Sequence, residues 1–574
     1  MVPDPGLTAA GRSHEAECGA SASGWRRLLP WSFPAWLPEI VFLCLCTWLF
    51  AADLSANGHP WGFPLDDAWI HMTFGRNLAQ GAGFGVNPGE PSGASTSVLW
   101  SLWLAALHLL PARLGLAGVI ACVKASGVLL GLAALAGTRR FLRAAGLSPG
   151  ETFAGLLLAI AAYPLSWAAL SGMEVPLACA LCAWATAYQA EASREANFGR
   201  SRRIAAVLWT LATLARPENV VFLAAAVVLM SRTEEQGRLS CMARLAGWVF
   251  PVLVVYICIM IYISGKPWPS TLEAKMTAGA LPALARAGDW AGIPGAALAG
   301  CAKSFGESMT FLLGENVVAL AAFLLAPLFW FVSRKERFER GIVETAWFAW
   351  ASLPVQAGLV AMVAAPESYS AFHGRYLAHT VWLAVPAAMV FACVALRGLG
   401  RPRLIICAVV LVGLLAAADR QIDLAGSYAL ETSNITNLQV RIARWFGERL
   451  PKGGAVAIND VGAMGYFSGR RLIDLEGLIT PQAIPWNRAG RIDAFLEGVK
   501  PEYLLIFPYW YPEVVGRLGF FKPLMRFSIE RNVTGGGEEM VLFAMPWTSV
   551  NMQAWPPLPE PGLPPAVPLV AGRQ

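Results

Sequence analysis

Along the chain, apolar runs of about twenty residues alternate with short polar connections, and a run of that length crosses a hydrocarbon core as a helix. Such runs fall at about 36–54, 116–137, 152–171, 174–191, 204–216, 219–231, 245–264, 308–332, 342–364, 376–396 and 403–419. The connections 138–143, 191–203, 231–238, 333–340 and 397–403 are rich in Lys and Arg, which places all five on the cytoplasmic side. Residues 97–111 resemble a further span, but the run is short. Counting it would also move Arg139, Arg140 and Arg143 outside. It reads instead as an interfacial or re-entrant helix. The pattern predicts a polytopic α-helical membrane protein of about eleven transmembrane helices, amino end cytoplasmic and carboxyl end extracytoplasmic.

Beyond residue 420 the period changes. Strand-length runs at 454–460 and 470–477 flank a short helix, and a third run at 502–508 precedes a hairpin pattern over 527–545. The expected organisation is a cytoplasmic segment 1–35, a membrane domain 36–419 whose first outer loop spans 55–115, an extracytoplasmic α/β domain 420–547 and a Pro-rich tail 548–574. The apolar run after Arg26 and Arg27 is long for a cleaved signal core and reads as a retained first helix.

Composition strengthens the membrane assignment: 56% of the 574 residues are hydrophobic and 14% charged, against roughly 25% charged in ordinary globular proteins. The net charge of +6 sits in the short loops between spans, so it is no nucleic-acid footprint. Most of the 11 cysteines lie inside apolar runs, and none forms a CxxC or Cys/His cluster, so neither disulfides nor zinc are expected.

The candidate chemistry gathers on the predicted outer face. "DDAWIHMTFGRNLAQG" reads as a short amphipathic helix that Asp66 starts and Gly81 ends. An acid at a helix start is often only a cap. Here a second acid, Asp67, follows, and Arg76 lies further along the same helix. Glu174 stands at one outer helix corner and Arg216 and Glu218 at another; Lys275, His373 and Arg375 lie in two further outer segments. Each could be half of a helix-anchoring salt bridge, but ionisable groups at membrane depth are functional candidates by default. Together they suit glycosyl transfer from a lipid-phosphate sugar. A carboxylate takes the acceptor hydroxyl's proton, and guanidinium groups hold the departing phosphate.

The run "LDDAWIHMTFGRNLAQG…NPGE…STSVLW" resembles the first outer loop of bacterial GT-C class membrane glycosyltransferases. It is similar to that of cell-wall terminal arabinofuranosyltransferases and, more distantly, protein O-mannosyltransferases and lipid A aminoarabinose transferases. "SGMEVPL", "ARPEN", "PSTLEAK", "HGRYL" and "DVGAMGYFSGRRLIDLEGLITP" look like further landmarks, so the resemblance covers about 62–480. It implies a polyprenyl-phosphate sugar donor and an extracytoplasmic glycan, lipid or protein acceptor at the bacterial inner membrane. The base would be Asp66 or Asp67, with Asp66 preferred. Arg76, Arg216 and Arg375 would hold the phosphate, with Lys275 beside them. Thr73-Phe74 and Ala94-Ser95-Thr96 depart from the relatives' Arg-Tyr and Gly-Tyr-Thr, so arabinose does not carry over. Asp67 and His71, four apart on one helix face, could supply two ligands to a divalent cation, but two ligands make no site. No cofactor is expected. The competing readings are a secondary transporter, for which no internal repeat is visible, and a non-catalytic envelope sensor or assembly subunit.

Overall fold

A computed structural model describes residues 34–548, except 60, 111–114, 196, 233–236, 277–279, 333–338, 364–370, 398–401, 451–452 and 518–520. The basic stretch with Arg26 and Arg27, the Pro-rich tail from 549, and most of the basic loops 231–238, 333–340 and 397–403 lie outside the described residues.

Helix occupies every predicted span, and five helical segments are long and apolar enough to cross a membrane by length and composition. These are Leu37–Asn57, Gly115–Ala144, Arg238–Ser264, Ala378–Arg397 and Ile405–Arg449; the other predicted spans fall on shorter or less apolar helices. With these helices the chain is a multi-pass membrane protein. Ala378–Arg397 runs through the middle of the bundle and is buried almost throughout, as expected of a helix apolar on every side. Arg238–Ser264 lies at the periphery, with Phe250, Val255 and Tyr262 exposed.

Three spans differ from the prediction, each for a local reason. The run 152–171 divides into Pro149–Ala162 and Leu165–Leu170, because Tyr163 precedes Pro164 and takes an extended conformation (φ −145°, ψ 133°). The run 308–332 divides at Asn316, where helix Ile293–Glu315 gives way to Val317–Val332. The Asn316 Oδ1 accepts the Val318 and Ala319 amides at 3.0 Å each, which caps the second helix. The last predicted span does not end near 419. Helix Pro402–Ile435 continues through a π-helical turn, Thr436–Val440, into Arg441–Arg449, so one helical rod joins the bundle to the C-terminal domain.

That domain carries a five-stranded sheet in the order β2-β1-β3-β5-β4, from β1 (Ala455–Ile458), β2 (Arg471–Asp474), β3 (Tyr503–Ile506), β4 (Lys522–Ser528) and β5 (Glu539–Ala544). The first three strands are parallel, and β4 and β5 form the antiparallel hairpin that the sequence predicted. Side chains alternate between the two faces, as a strand's period of two requires. Val456, Ile458, Leu472 and Leu505 pack toward the membrane domain, while Ala457, Ile473, Leu504 and Ile506 form a separate core with Phe495, Tyr511 and Val514. The sheet is thereby fixed against the bundle through one face, which sets the distance between its loops and the first outer loop.

Candidate active site

The first-loop helix forms where the sequence placed it, over Asp66–Ala79, with Gly81 beyond it at φ +71°. It is buried over most of its length, and it crosses the 11-residue helix Val98–His108 so closely that a Cβ on Gly75 would stand 2.7 Å from the Leu104 Cβ. Trp69 packs its ring against Phe63, Tyr466 and Phe467 at centroid separations of 5.2, 5.3 and 4.8 Å. These contacts fix the direction in which the two aspartates project.

Asp66 and Asp67 point to different partners. The Asp66 carboxylate accepts the backbone amides of Gly462 at 2.7 Å and Ala463 at 2.8 Å, the first residues of helix Gly462–Phe467 in the C-terminal domain. The approach requires glycine at 462, since a Cβ there would lie 2.1 Å from the Asp66 carbonyl oxygen. Arg76 holds the other end of the same short helix. It donates to the Gly465 carbonyl at 3.1 Å and to the Tyr466 carbonyl, and its guanidinium lies 4.8 Å from the Tyr466 ring centre. An acid on the amide end and a cation on the carbonyl end both complement the helix dipole. The two residues therefore act as a clamp between the domains. Burial, and then the charge of Asp460, push the Asp66 carboxyl well above its ordinary range against the pull of the two amides. Asp460 itself is pushed up to about 6 by burial, with Asp67 and Glu476 adding to the effect.

Asp67 is the more open acid, its side chain 43% exposed against 9% for Asp66 as a whole residue. Its Oδ2 receives the Arg375 Nη2 at 2.7 Å. Burial alone would raise its pKa; Arg375, followed by Lys275 and His71, more than offsets this and holds it below the ordinary carboxylate value. Tyr376 organises the cations. Its hydroxyl accepts Arg375 Nη2 at 2.9 Å and Lys275 Nζ at 3.1 Å, and both lie over its ring, at 4.9 and 4.6 Å from the centre. The Arg375 Nε and Nη1 are buried and have no hydrogen-bond partner among the described residues. A guanidinium left with two free, desolvated donors is prepared for an anion.

The remaining predicted residues form a support behind this pair. Ser101, Ser95, His71, Glu174, Arg216 and Glu218 follow one another at 2.8, 3.2, 3.3, 3.2 and 2.8 Å. Arg216 also donates to the Arg375 carbonyl at 3.1 Å, so the chain of contacts reaches the cation that meets Asp67. His373 turns away from the aspartates. Its Nε2 lies 2.6 Å from Glu431, which also accepts the Trp167 indole at 2.7 Å, and its Nδ1 is 3.4 Å from Arg420. Phe372 and His373 adopt left-handed backbone (φ 52° and 55°), followed by Gly374 at 62°. Non-glycine residues persist there only when their surroundings enforce it, and here the Glu431 contact anchors the turn that delivers Arg375.

The structure thus brings together Asp67, Lys275 and Arg375, with His71, Glu174, Arg216 and Glu218 behind them, and sets Asp66 and Arg76 at the domain contact and His373 against Arg420 and Glu431 of the Pro402–Ile435 helix. Sequence reading missed Tyr376, Glu431, Arg420 and Asp460. Tyr376 was legible as the neighbour of Arg375 in "HGRYL"; the other three meet the site only through long-range packing. Among the described residues, no group of three or more His, Cys, Asp or Glu side chains is arranged to hold a metal ion.

Residues 433–546, which comprise the end of the long helix and the sheet, match a family described as a domain of unknown function (DUF8728). No curated protein matches the sequence. Among solved structures, the archaeal oligosaccharyltransferase AglB from Archaeoglobus fulgidus, in complex with an inhibitory peptide and a dolichol-phosphate, superposes with a TM-score of 0.51 at 10% identity, covering 86% of this chain and 74% of that one. ArnT from Cupriavidus metallidurans, bound to undecaprenyl phosphate, gives a TM-score of 0.48 at 12% identity over 88% of this chain and 97% of its own. The fold of this chain is therefore similar to that of a GT-C membrane glycosyltransferase, AglB, over 86% of its length.

Proposed function

We propose that the protein is a membrane glycosyltransferase that moves a sugar from a polyprenyl-phosphate donor to a hydroxyl of an extracytoplasmic glycan, lipid or protein. Asp67 is the general base, and its side chain is open to an incoming hydroxyl. As the acceptor oxygen bonds to the anomeric carbon, the hydroxyl proton passes to Asp67. The bond from that carbon to the phosphate oxygen breaks, and polyprenyl phosphate leaves. Arg375 and Lys275 stabilise the charge that develops on the phosphate. The observation that carries this reading is Arg375, which meets Asp67 with one nitrogen while two others are buried and find no hydrogen-bond partner among the described residues. This assignment replaces the sequence preference for Asp66, whose two oxygens are engaged by backbone amides. The mechanism uses no cofactor.

The Lys/Arg distribution supports an inner-membrane orientation with the amino end cytoplasmic and the sheet domain outside. The test is a chromosomal Asp67→Asn strain. Lipid-linked sugar identified by mass spectrometry should accumulate, and one sugar should disappear from the envelope. Unaltered envelope glycan and no accumulated lipid-linked sugar would overturn the proposal.

A further inference from the structure

Among the described residues, a polar cavity of about 520 Å³ lies where four segments meet. Its walls are residues 87–92 of the first outer loop, the turn after helix Arg238–Ser264, β2 with the loop that follows it, and helix Ile492–Val499. The walls are tied to one another. Asn87 exchanges two hydrogen bonds with the Leu472 backbone, at 3.0 and 2.8 Å. The Ser270 amide donates to the Gly93 carbonyl at 3.2 Å, and its hydroxyl donates to the Leu478 carbonyl at 2.5 Å. A volume of this order lies within the roughly 300–1,000 Å³ of small-molecule sites.

The lining chemistry narrows the ligand. Ser92, Ser264, Thr480 and Gln482 supply neutral polar groups, and Phe495 and Val499 supply apolar surface. The one acid and one base, Glu90 and Arg471, pair with each other at 2.7 Å and leave no net charge for an ion. The Ser92 side chain is buried, and its hydroxyl has no hydrogen-bond partner among the described residues. An unmet hydroxyl of this kind is costly unless a ligand or water meets it. Neutral hydroxyl donors and acceptors beside apolar surface suit a saccharide.

Position links the cavity to the aspartates. Ser270, in the wall, begins helix Ser270–Lys275, whose last residue meets Tyr376 beside Arg375. At about 1.5 Å per residue the helix covers roughly 8 Å. A saccharide seated in the cavity is thus within a few sugar units of the Asp67–Arg375 pair. We infer that this cavity is a binding site for a short, neutral stretch of saccharide, an inference that rests on the glycosyl-transfer reading. The saccharide belongs either to the acceptor glycan or to the sugar portion of the lipid-linked donor.

The test uses the full-length protein in nanodiscs, with saturation-transfer NMR against a panel of neutral hexose and pentose di- and trisaccharides. Gln482 is exposed at the cavity, so Gln482→Trp obstructs it without disturbing the core; Ser92→Ala removes the free hydroxyl. Panel members should bind to wild type. They should bind at least tenfold more weakly to Gln482→Trp and roughly three- to tenfold more weakly to Ser92→Ala, with unchanged melting temperatures. A rise in KM for the acceptor alone assigns the cavity to the acceptor, and a rise for the lipid-linked donor alone assigns it to the donor sugar. Failure of every panel member to bind, or binding and both KM values unchanged in Gln482→Trp, overturns the inference. The two claims fail separately: wild-type protein that transfers no sugar from any lipid-linked donor sinks the transferase reading, whereas the cavity stands or falls on the binding data.

Discussion

Asp66→Ala tests the clamp between the first outer loop and the sheet domain. The substitution removes the acceptor of two short hydrogen bonds and strands the buried Gly462 and Ala463 amides. A buried donor left unsatisfied costs about 1–3 kcal/mol. Two therefore cost roughly 2–6 kcal/mol, and because water can reach freed amides at a helix N-terminus, the lower half of that interval applies. About 2–4 kcal/mol corresponds to roughly a 30- to 1,000-fold rise in local opening. Native-state hydrogen exchange read at these two amides should accelerate by that factor, while amides in the Ala378–Arg397 helix keep their protection. Arg76→Ala should act on the same helix from its other end, with accelerated exchange in the turn beyond Tyr466. If Asp66→Ala abolished transfer while exchange at Gly462 and Ala463 stayed at the wild-type rate, the clamp would be refuted and Asp66 would belong to the chemistry.

Three further outcomes are expected. Arg375→Lys keeps the charge but not the planar fork, so transfer should fall at least tenfold with little change in melting temperature; wild-type kinetics would remove the guanidinium from the phosphate site. His373→Ala should lower kcat by ten- to a hundredfold by releasing the turn that aims Arg375, and His373→Asn, which tolerates left-handed backbone, should recover part of the loss. Asp474 is raised from 3.8 to about 7, chiefly by burial, so the folded state binds the proton more tightly than the unfolded chain and stability is lost as pH rises between those values. The shift corresponds to roughly 4 kcal/mol at most. Asp474→Asn should therefore raise the melting temperature relative to wild type more at pH 8 than at pH 5, and the opposite order would contradict the sign.

The parts of the fold legible in the sequence were those carried by period and by local chemistry. The helix from Asp66, its end near Gly81 and the strand–helix–strand unit before Asp474 follow from amphipathic spacing and turn residues. The break at Pro164 was also locally encoded, since the proline forces Tyr163 out of the helix. The continuation past 419 was not, because Asp419, Arg420 and Asp423 resemble the end of a membrane run; they instead start the part of the rod from which Arg420 reaches Glu315 at 2.8 Å. The site showed a similar division. Its residue types were visible, but their roles depended on pairings across long separations. Asp66 meets Gly462, Arg76 meets Tyr466, and His373 meets Glu431. Adjacent aspartates in the sequence became one interdomain tie and one exposed carboxylate, a distinction that no local pattern contains.

The central claim is that Asp67, held by Arg375, is the base for glycosyl transfer. Its most direct test is transfer to acceptor by purified protein in nanodiscs supplied with lipid-linked sugars, wild type against Asp67→Asn. The Asn side chain preserves shape and removes the base, so the rate should fall by about 10²- to 10⁴-fold, with hydrogen exchange at Gly462 and Ala463 unchanged. Transfer by Asp67→Asn at the wild-type rate would contradict the account.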